Sequence, residues 1–183
     1  MSQTTKKAIS ASLKKLMQDT PFDKITIVDI VNDCQVNRQT FYYHFKDIYE
    51  LLGWIYKNEA LTNIAEYKTF NTWQKGFLKI FTYVLENRLF CMNTFRSLAR
   101  EHLEKFLYDI VFNLIIDVIN EVAEDASLDD KEKTFISNFY SYAFIGILTN
   151  WMREGMKTDP QIIISDLTKL VDGNLKRAIH KYT

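Results

Sequence analysis

The stretch VNRQTFYYHFKDIYEL, residues 36–51, decides the fold. Six of its sixteen positions are aromatic or histidine (Phe41, Tyr42, Tyr43, His44, Phe45, Tyr49), and Thr-Phe-Tyr-Tyr-His-Phe has the local preferences of a strand. On a helix, Phe41 and Phe45 lie one turn apart and form one stripe, while Tyr43 falls on the opposite side flanked by Gln39 and Thr40. The flanking residues choose between these readings. Asn37 suits an N-cap, and Asp47-Ile-Tyr-Glu50 has the spacing of a capping box that opens another helix. An aromatic run enclosed by two cap signals, with no partner strand nearby, is a short helix.

Upstream, Thr26-Ile-Val-Asp29 has capping-box spacing and opens a helix of about two turns with Ile27, Ile30 and Val31 on its inward face. Ile9, Leu13, Leu16 and Met17 mark a first helix from Ser2–Thr5 to about Asp19, which Thr20-Pro21 ends. Downstream, a segment through Leu51, Leu52, Trp54 and Ile55 leads to four long amphipathic stretches at 73–92, 97–124, 129–155 and 160–181. Five glycines and two prolines are too few for the many tight turns of a β fold. The expected class is all-α, with a three-helix domain over 1–50 and a helical bundle over 51–183.

Composition narrows the function. Twenty-three basic residues balance 23 acidic ones, which counts against a protein that coats DNA by charge alone. Four lysines of the first helix (Lys6, Lys7, Lys14, Lys15) nevertheless form a local positive edge. Cys34 and Cys91 lack metal or redox spacing and read as two reduced thiols. The N-terminus has no signal-peptide pattern, and Asp109, Asn113, Asp117 and Asn150 interrupt the longest apolar runs, so a cytoplasmic chain without a membrane span is expected. A carboxylate-bridged metal enzyme needs Glu-x-x-His pairs. Phe41, Ala99 and Arg177 stand three residues before His44, His102 and His180. Asp109, Asp117 and Glu121 have the spacing of a solvated helix face, and His102 reads as a surface residue. No enzyme, metal or cofactor is expected.

Three short helices with a tight turn between the second and third have the proportions of a helix-turn-helix DNA reader. The third helix then offers Arg38 and Gln39 to base edges, since arginine pairs with guanine and glutamine with adenine. Thr40 and Tyr43 share that outward face. The Tyr42 and Tyr43 hydroxyls, His44 and Lys46 can meet phosphates, and Asn37 and Thr26 sit at helix N-termini where backbone N–H groups face anions. The competing readings are that Tyr42 is a core ring with its hydroxyl at the surface, and that the short helix is only packing.

In order and spacing, Thr26-Ile-Val-Asp-Ile30, Val36-Asn-Arg-Gln-Thr-Phe-Tyr42, His44-Phe45 and Leu51-Leu52 resemble the signature of the TetR family of bacterial transcription regulators. Phe144-Ile-Gly146, Trp151-Met-Arg-Glu-Gly155 and Asp159-Pro160 resemble the penultimate helix and following turn of many members. Residues 38–45 and Leu51-Leu-Gly-Trp-Ile55 are most similar to the branch that regulates dihydroxyacetone kinase operons. The resemblance implies a homodimer on a palindromic double-stranded operator, with Arg38, Gln39 and Tyr43 facing bases and Thr26, Tyr42, His44 and Lys46 facing phosphates. Two positions depart from the pattern. Gln35 stands where the family usually has glycine, which requires an unusual turn geometry or a shifted boundary. Ile48 replaces the usual lysine of the fourth helix, which shifts affinity toward Lys46 and the first helix. An interaction module that has lost specific DNA binding is the alternative these departures leave open.

The resemblance assigns effector or partner binding and dimerisation to the C-terminal bundle. Segments 135–152 and 162–179 fit dimerisation, with Phe135, Phe139, Tyr142, Gly146, Ile147, Ile163, Leu167 and Leu170 as the interface; a stripe packed within one subunit looks the same in sequence. An effector pocket would be lined by Phe77, Phe81, Phe95, Phe106, Phe139, Tyr140 and Trp151, although rings at helical spacing also make ordinary core. The branch further implies a kinase-like coactivator protein in place of a small-molecule effector. A crowded interior favours that partner, and a polar, ligand-sized cavity counts against it.

Overall fold

The computed structural model describes residues 2–59, 67, 69–123, 128–179 and 181. His180 lies outside the described residues. The described chain forms α1 (Ser2–Leu16), a 3-10 turn (Phe22–Lys24), α2 (Ile27–Asp33), α3 (Arg38–His44), α4 (Ile48–Glu59), α5 (Trp73–Glu86), α6 (Arg88–Phe95), α7 (Arg100–Val122), α8 (Asp130–Arg153), α9 (Pro160–Val171) and α10 (Asn174–Ile179). The fold is all-α.

The helices form two compact units, Met1–Glu59 with Asn87–Phe106, and Ala60–Glu86 with Leu107–Thr183. The boundary expected at residue 50 falls inside α4. Tyr56 explains why the first unit runs on: its ring stacks 4.8 Å from Phe106, and its hydroxyl donates to Thr94 Oγ1 at 2.9 Å. The α6 segment is bound still more directly by Asn93. That side chain accepts from the Phe22 N–H at 2.8 Å and donates to the carbonyls of Met17 at 2.8 Å and Thr20 at 2.7 Å. One amide thus satisfies two carbonyls and one N–H at the end of α1, where backbone groups lack helical partners.

Ile9 and Leu13 of α1 and Met17 just past its end recur every four residues and are buried with Ile30, Phe41, Phe45, Leu51, Leu52 and Ile55. Both expected cap signals upstream of α4 close. Thr26 and Asp29 form a reciprocal capping box, and Asn37 caps α3. At α4, Asp47 accepts from the Glu50 N–H at 2.8 Å, but Glu50 reaches one residue further back than expected, to the Lys46 N–H at 2.5 Å.

In the second unit, Phe144 of α8 stacks on Phe77 at 3.9 Å, and Trp73 meets it edge-on at 5.8 Å. Gly76 packs closely: an added Cβ would lie 2.5 Å from Leu114 Cδ1 and 3.2 Å from Tyr67 Cβ, so Leu114 would have to shift. Asp129 closes a capping box with Glu132, and Asp159 caps α9 ahead of Pro160. Trp151 donates through its indole N–H to the Thr158 carbonyl at 2.8 Å.

Two expected helices are broken. The stretch 73–92 divides at Asn87, whose side chain accepts from Lys14 Nζ at 3.0 Å and whose backbone leaves the helical region. The stretch 160–181 divides at Gly173, where φ is +83°.

Gln35 adopts φ +54°, so the turn keeps the left-handed geometry that glycine usually supplies. A side chain there costs about 1 kcal/mol. Gln35→Gly should therefore raise urea-unfolding stability by about 0.5 to 1 kcal/mol, net of the extra chain entropy glycine loses. Gln35→Val should lower it by more, because a β-branched residue fits that conformation poorly.

Candidate nucleic-acid interface

The turn between α2 and α3 is closed by backbone bonds from Cys34 N–H to Ile30 O at 3.1 Å and from Val36 N–H to Val31 O at 3.0 Å. It delivers the chain to Asn37, whose Oδ1 accepts from the Thr40 N–H at 2.7 Å and from the Thr40 hydroxyl at 2.9 Å. The helix that follows divides its rings by face. Phe41 and Phe45 are buried, Tyr43 is 82% exposed and Tyr42 is 47% exposed, with Arg38 and Gln39 also exposed.

The outward face is partly organised. The Arg38 guanidinium donates to the Tyr42 hydroxyl at 3.2 Å and lies 5.6 Å from the Tyr42 ring centroid. Tyr42 is therefore a surface ring whose hydroxyl serves its neighbour. Tyr43 meets the half-buried His44 edge-on at 4.9 Å. Lys46 follows immediately and is exposed.

Thr26, Asn37 and Thr40 are engaged in a different way, in hydrogen bonds at helix N-termini. The Thr26 hydroxyl donates to Asp29 at 2.6 Å and accepts from the Asp29 N–H at 3.3 Å. These three residues hold helix ends in place. Arg38, Gln39, Tyr42 and Tyr43 supply the open surface of the short helix. The exposed His102, read as a surface residue, stacks on Tyr49 at 4.9 Å. Burial raises the Cys91 thiol to about 12 and also raises Cys34, so neither is disposed to ionise at neutral pH.

The residues expected to line an effector pocket fall in both units. Phe95 and Phe106 belong to the first unit and the other five to the second. Phe139 is 65% exposed, and Phe81 packs against Trp151 at 5.0 Å. Phe77 and Tyr140 do line a cavity with Trp73 and Phe144, but its volume is about 20 Å³. That is room for one water molecule.

The expected interface residues also divide. Phe135, Phe139, Tyr142 and Leu170 are exposed, and a Cβ on Gly146 would meet nothing within 4 Å. Leu167 is buried within its own chain, while Ile147 and Ile163 are half-buried. On α9 the exposed apolar residues are Ile162 and Leu170. Tyr142, Gly146, Ile147 and Ile163 line an open groove of about 410 Å³. The sequence reading omitted Tyr108, which stacks on Phe112 at 5.7 Å and lies 5.3 Å from Tyr142; its placement depends on α7 and α8 meeting, which no local pattern reports.

The profile described as "Bacterial regulatory proteins, tetR family" matches residues 9–53, and one described as "Transcriptional regulator C-terminal region" matches residues 71–173. The chain is 32% identical over 145 residues to the HTH-type dhaKLM operon transcriptional activator DhaS of Lactococcus lactis subsp. lactis (strain IL1403), spanning 78% of this chain and 76% of that protein. Among solved structures, the dihydroxyacetone kinase operon activator DhaS superposes with a TM-score of 0.71 at 28% identity, covering 94% of this chain and 96% of that one. The fold is shared with NalD, the secondary repressor of the MexAB-OprM multidrug efflux pump in Pseudomonas aeruginosa, at a TM-score of 0.68 and 14% identity over 98% of each chain.

The engaged caps make two measurable statements. Asn37→Ala should cost about 1 kcal/mol in urea unfolding, and Asn37→Asp should restore most of it. The Thr26 side chain, then its backbone N–H, hold the Asp29 carboxyl below its ordinary value. That stabilisation is present above the unfolded carboxylate pKa and is lost as pH falls through the lowered folded value. The stability gap between wild type and Thr26→Val should therefore narrow on acidification.

Proposed function

The chain belongs to the TetR family of bacterial transcription regulators, and from that premise we propose that it binds a palindromic operator as a homodimer, reading bases with Arg38, Gln39 and Tyr43. It is a DNA-binding regulator, and the observation that carries the specific contacts is the open face of α3. Rings that would hold the helix in place point inward, and groups suited to base edges point outward. Lys46 and His44 meet the flanking phosphates. Arg38 exchanges its Tyr42 partner for a base edge on binding.

The two copies join through α8 and α9, along Phe135, Phe139, Tyr142 and Gly146, with the open groove beside Gly146 receiving the partner helix. Like its DhaS relative, this regulator acts at a dihydroxyacetone kinase operon. Its control comes from a kinase-like coactivator protein, a reading supported by the close packing of Trp73, Phe77, Tyr140 and Phe144 around an apolar cavity of about 20 Å³. Among the described residues no helix is long and apolar enough to cross a membrane, in keeping with a regulator working in the cytoplasm.

Binding to the chain's own upstream intergenic DNA tests the reading face. Arg38→Ala and Tyr43→Ala should each weaken specific binding by about 1 to 3 kcal/mol while leaving a shuffled duplex little affected. Lys46→Ala should weaken both duplexes alike and reduce the salt slope by about 0.9. If neither Arg38→Ala nor Tyr43→Ala weakens specific binding, α3 is not the reading helix. For the dimer, Gly146→Leu adds a side chain whose Cβ meets nothing within 4 Å in its own chain, so sedimentation should show a folded protomer with weakened self-association. A dimer as tight as wild type would place the interface elsewhere.

A further inference from the structure

The rings of α3 are linked as well as sorted by face. Phe41 is fully buried, and the Tyr42 ring beside it stands edge-on, with the centroids 5.7 Å apart and the planes at 86°. Edge-to-face pairing sets the positive rim of one ring against the negative face of the other, which fixes orientation as well as distance. A buried ring thus orients an exposed one. The Arg38 guanidinium lies one helical turn back, 5.6 Å from the Tyr42 centroid and within range of attraction to the ring face. Phe41, Tyr42 and Arg38 form a connected path from the core to the open surface.

Arginine is a long side chain, and fixing it on a base edge removes much of its rotamer freedom. A ring that confines the guanidinium beforehand leaves less freedom to lose. The hydroxyl and the ring of Tyr42 differ in what they can contribute on DNA. The hydroxyl accepts an Arg38 N–H at 3.2 Å, and that bond is given up when the guanidinium turns to a guanine. The ring contact uses no N–H donor of the guanidinium, so it outlasts the turn.

We propose that Tyr42 is a positioning residue for base reading, its ring the platform on which Arg38 turns from the Tyr42 hydroxyl to the base edge. The proposal rests on the base-reading role of Arg38 above. It gives Tyr42 a part in selectivity, beside the phosphate contact that the family resemblance implies for this position. The ring acts through Arg38 alone, so its contribution is confined to DNA whose bases Arg38 reads.

Fluorescence anisotropy of the full chain on its upstream intergenic duplex and on a shuffled duplex separates the ring from the hydroxyl. Tyr42→Leu removes the ring but keeps an apolar side chain that suits a helix. It should lower the ratio of intergenic to shuffled binding by about two- to fivefold, the range of an exposed cation–ring contact. Tyr42→Phe keeps the ring and should keep at least the wild-type ratio. In the Arg38→Ala background, Tyr42→Leu should leave the ratio where Arg38→Ala alone puts it. A ring that only packed the helix would be missed in that background too. An unchanged ratio in Tyr42→Leu overturns the platform, as does a loss that persists without Arg38. A loss equal in Tyr42→Leu and Tyr42→Phe assigns the effect to the hydroxyl and also overturns it. In each of these cases a lowered ratio in Arg38→Ala leaves the reading helix standing. A wild-type ratio in Arg38→Ala removes the base-reading role and the platform with it, and that single variant identifies this failure.

Discussion

A helix of seven residues is too short to persist alone in water, and α3 is that short. Everything its outer face offers to DNA depends on the two phenylalanines beneath it. Phe41 and Phe45 are buried with their ring centroids 5.9 Å apart. Burying two such rings contributes about 3 to 6 kcal/mol, enough to offset the unfavourable nucleation of a helix this size. Asn37 and the left-handed turn at Gln35 set its start, while the phenylalanines fix its roll. Tyr43 faces outward because Phe41 and Phe45 cannot.

The unit that carries this helix is assembled from two separate parts of the chain. Residues 87–106 return to it through the Asn93 amide, the Tyr56 hydroxyl and the Asp23 carboxylate, which accepts from the Leu98 N–H at 3.1 Å. These are polar contacts between residues 38 to 76 positions apart; those of Asn93 and Asp23 satisfy backbone groups just past the ends of α1 and α6, and the Tyr56 hydroxyl meets the Thr94 hydroxyl. The end of α1 is therefore held from a segment that a division of the chain at residue 50 would assign to the other half. The reading helix is local in sequence, but its foundation is not.

This difference explains what was legible in the sequence. Caps at Thr26, Asn37 and Asp47 act within four residues, so their residue types announce them. The inward placement of Phe41 and Phe45 follows from helical period, and the outward placement of Arg38, Gln39 and Tyr43 follows with it. The break at Asn87 was not legible: no glycine or proline marks it, and the Lys14 ammonium that its side chain meets lies far away in the chain. Leu167 and Ile162 show the same boundary on α9. Both are apolar on a helix with two partly apolar faces, and only packing decides that Leu167 is buried and Ile162 exposed. The engaged state of Thr26 was half legible: its cap spacing was visible, but not that its hydroxyl proton is given to Asp29.

Gln35 bears on how such regulators are found. The turn asks for a dihedral angle, and glycine is only the residue that most often supplies it. A search pattern that demands glycine at this position would pass over a chain whose backbone meets the requirement with a side chain attached. Selection at the turn acts on a backbone angle near +54° and on the stability margin that pays for it. Chains with spare stability elsewhere are free to lose the glycine, so its absence reports on the robustness of the head as a whole and carries no message about whether the head reads DNA.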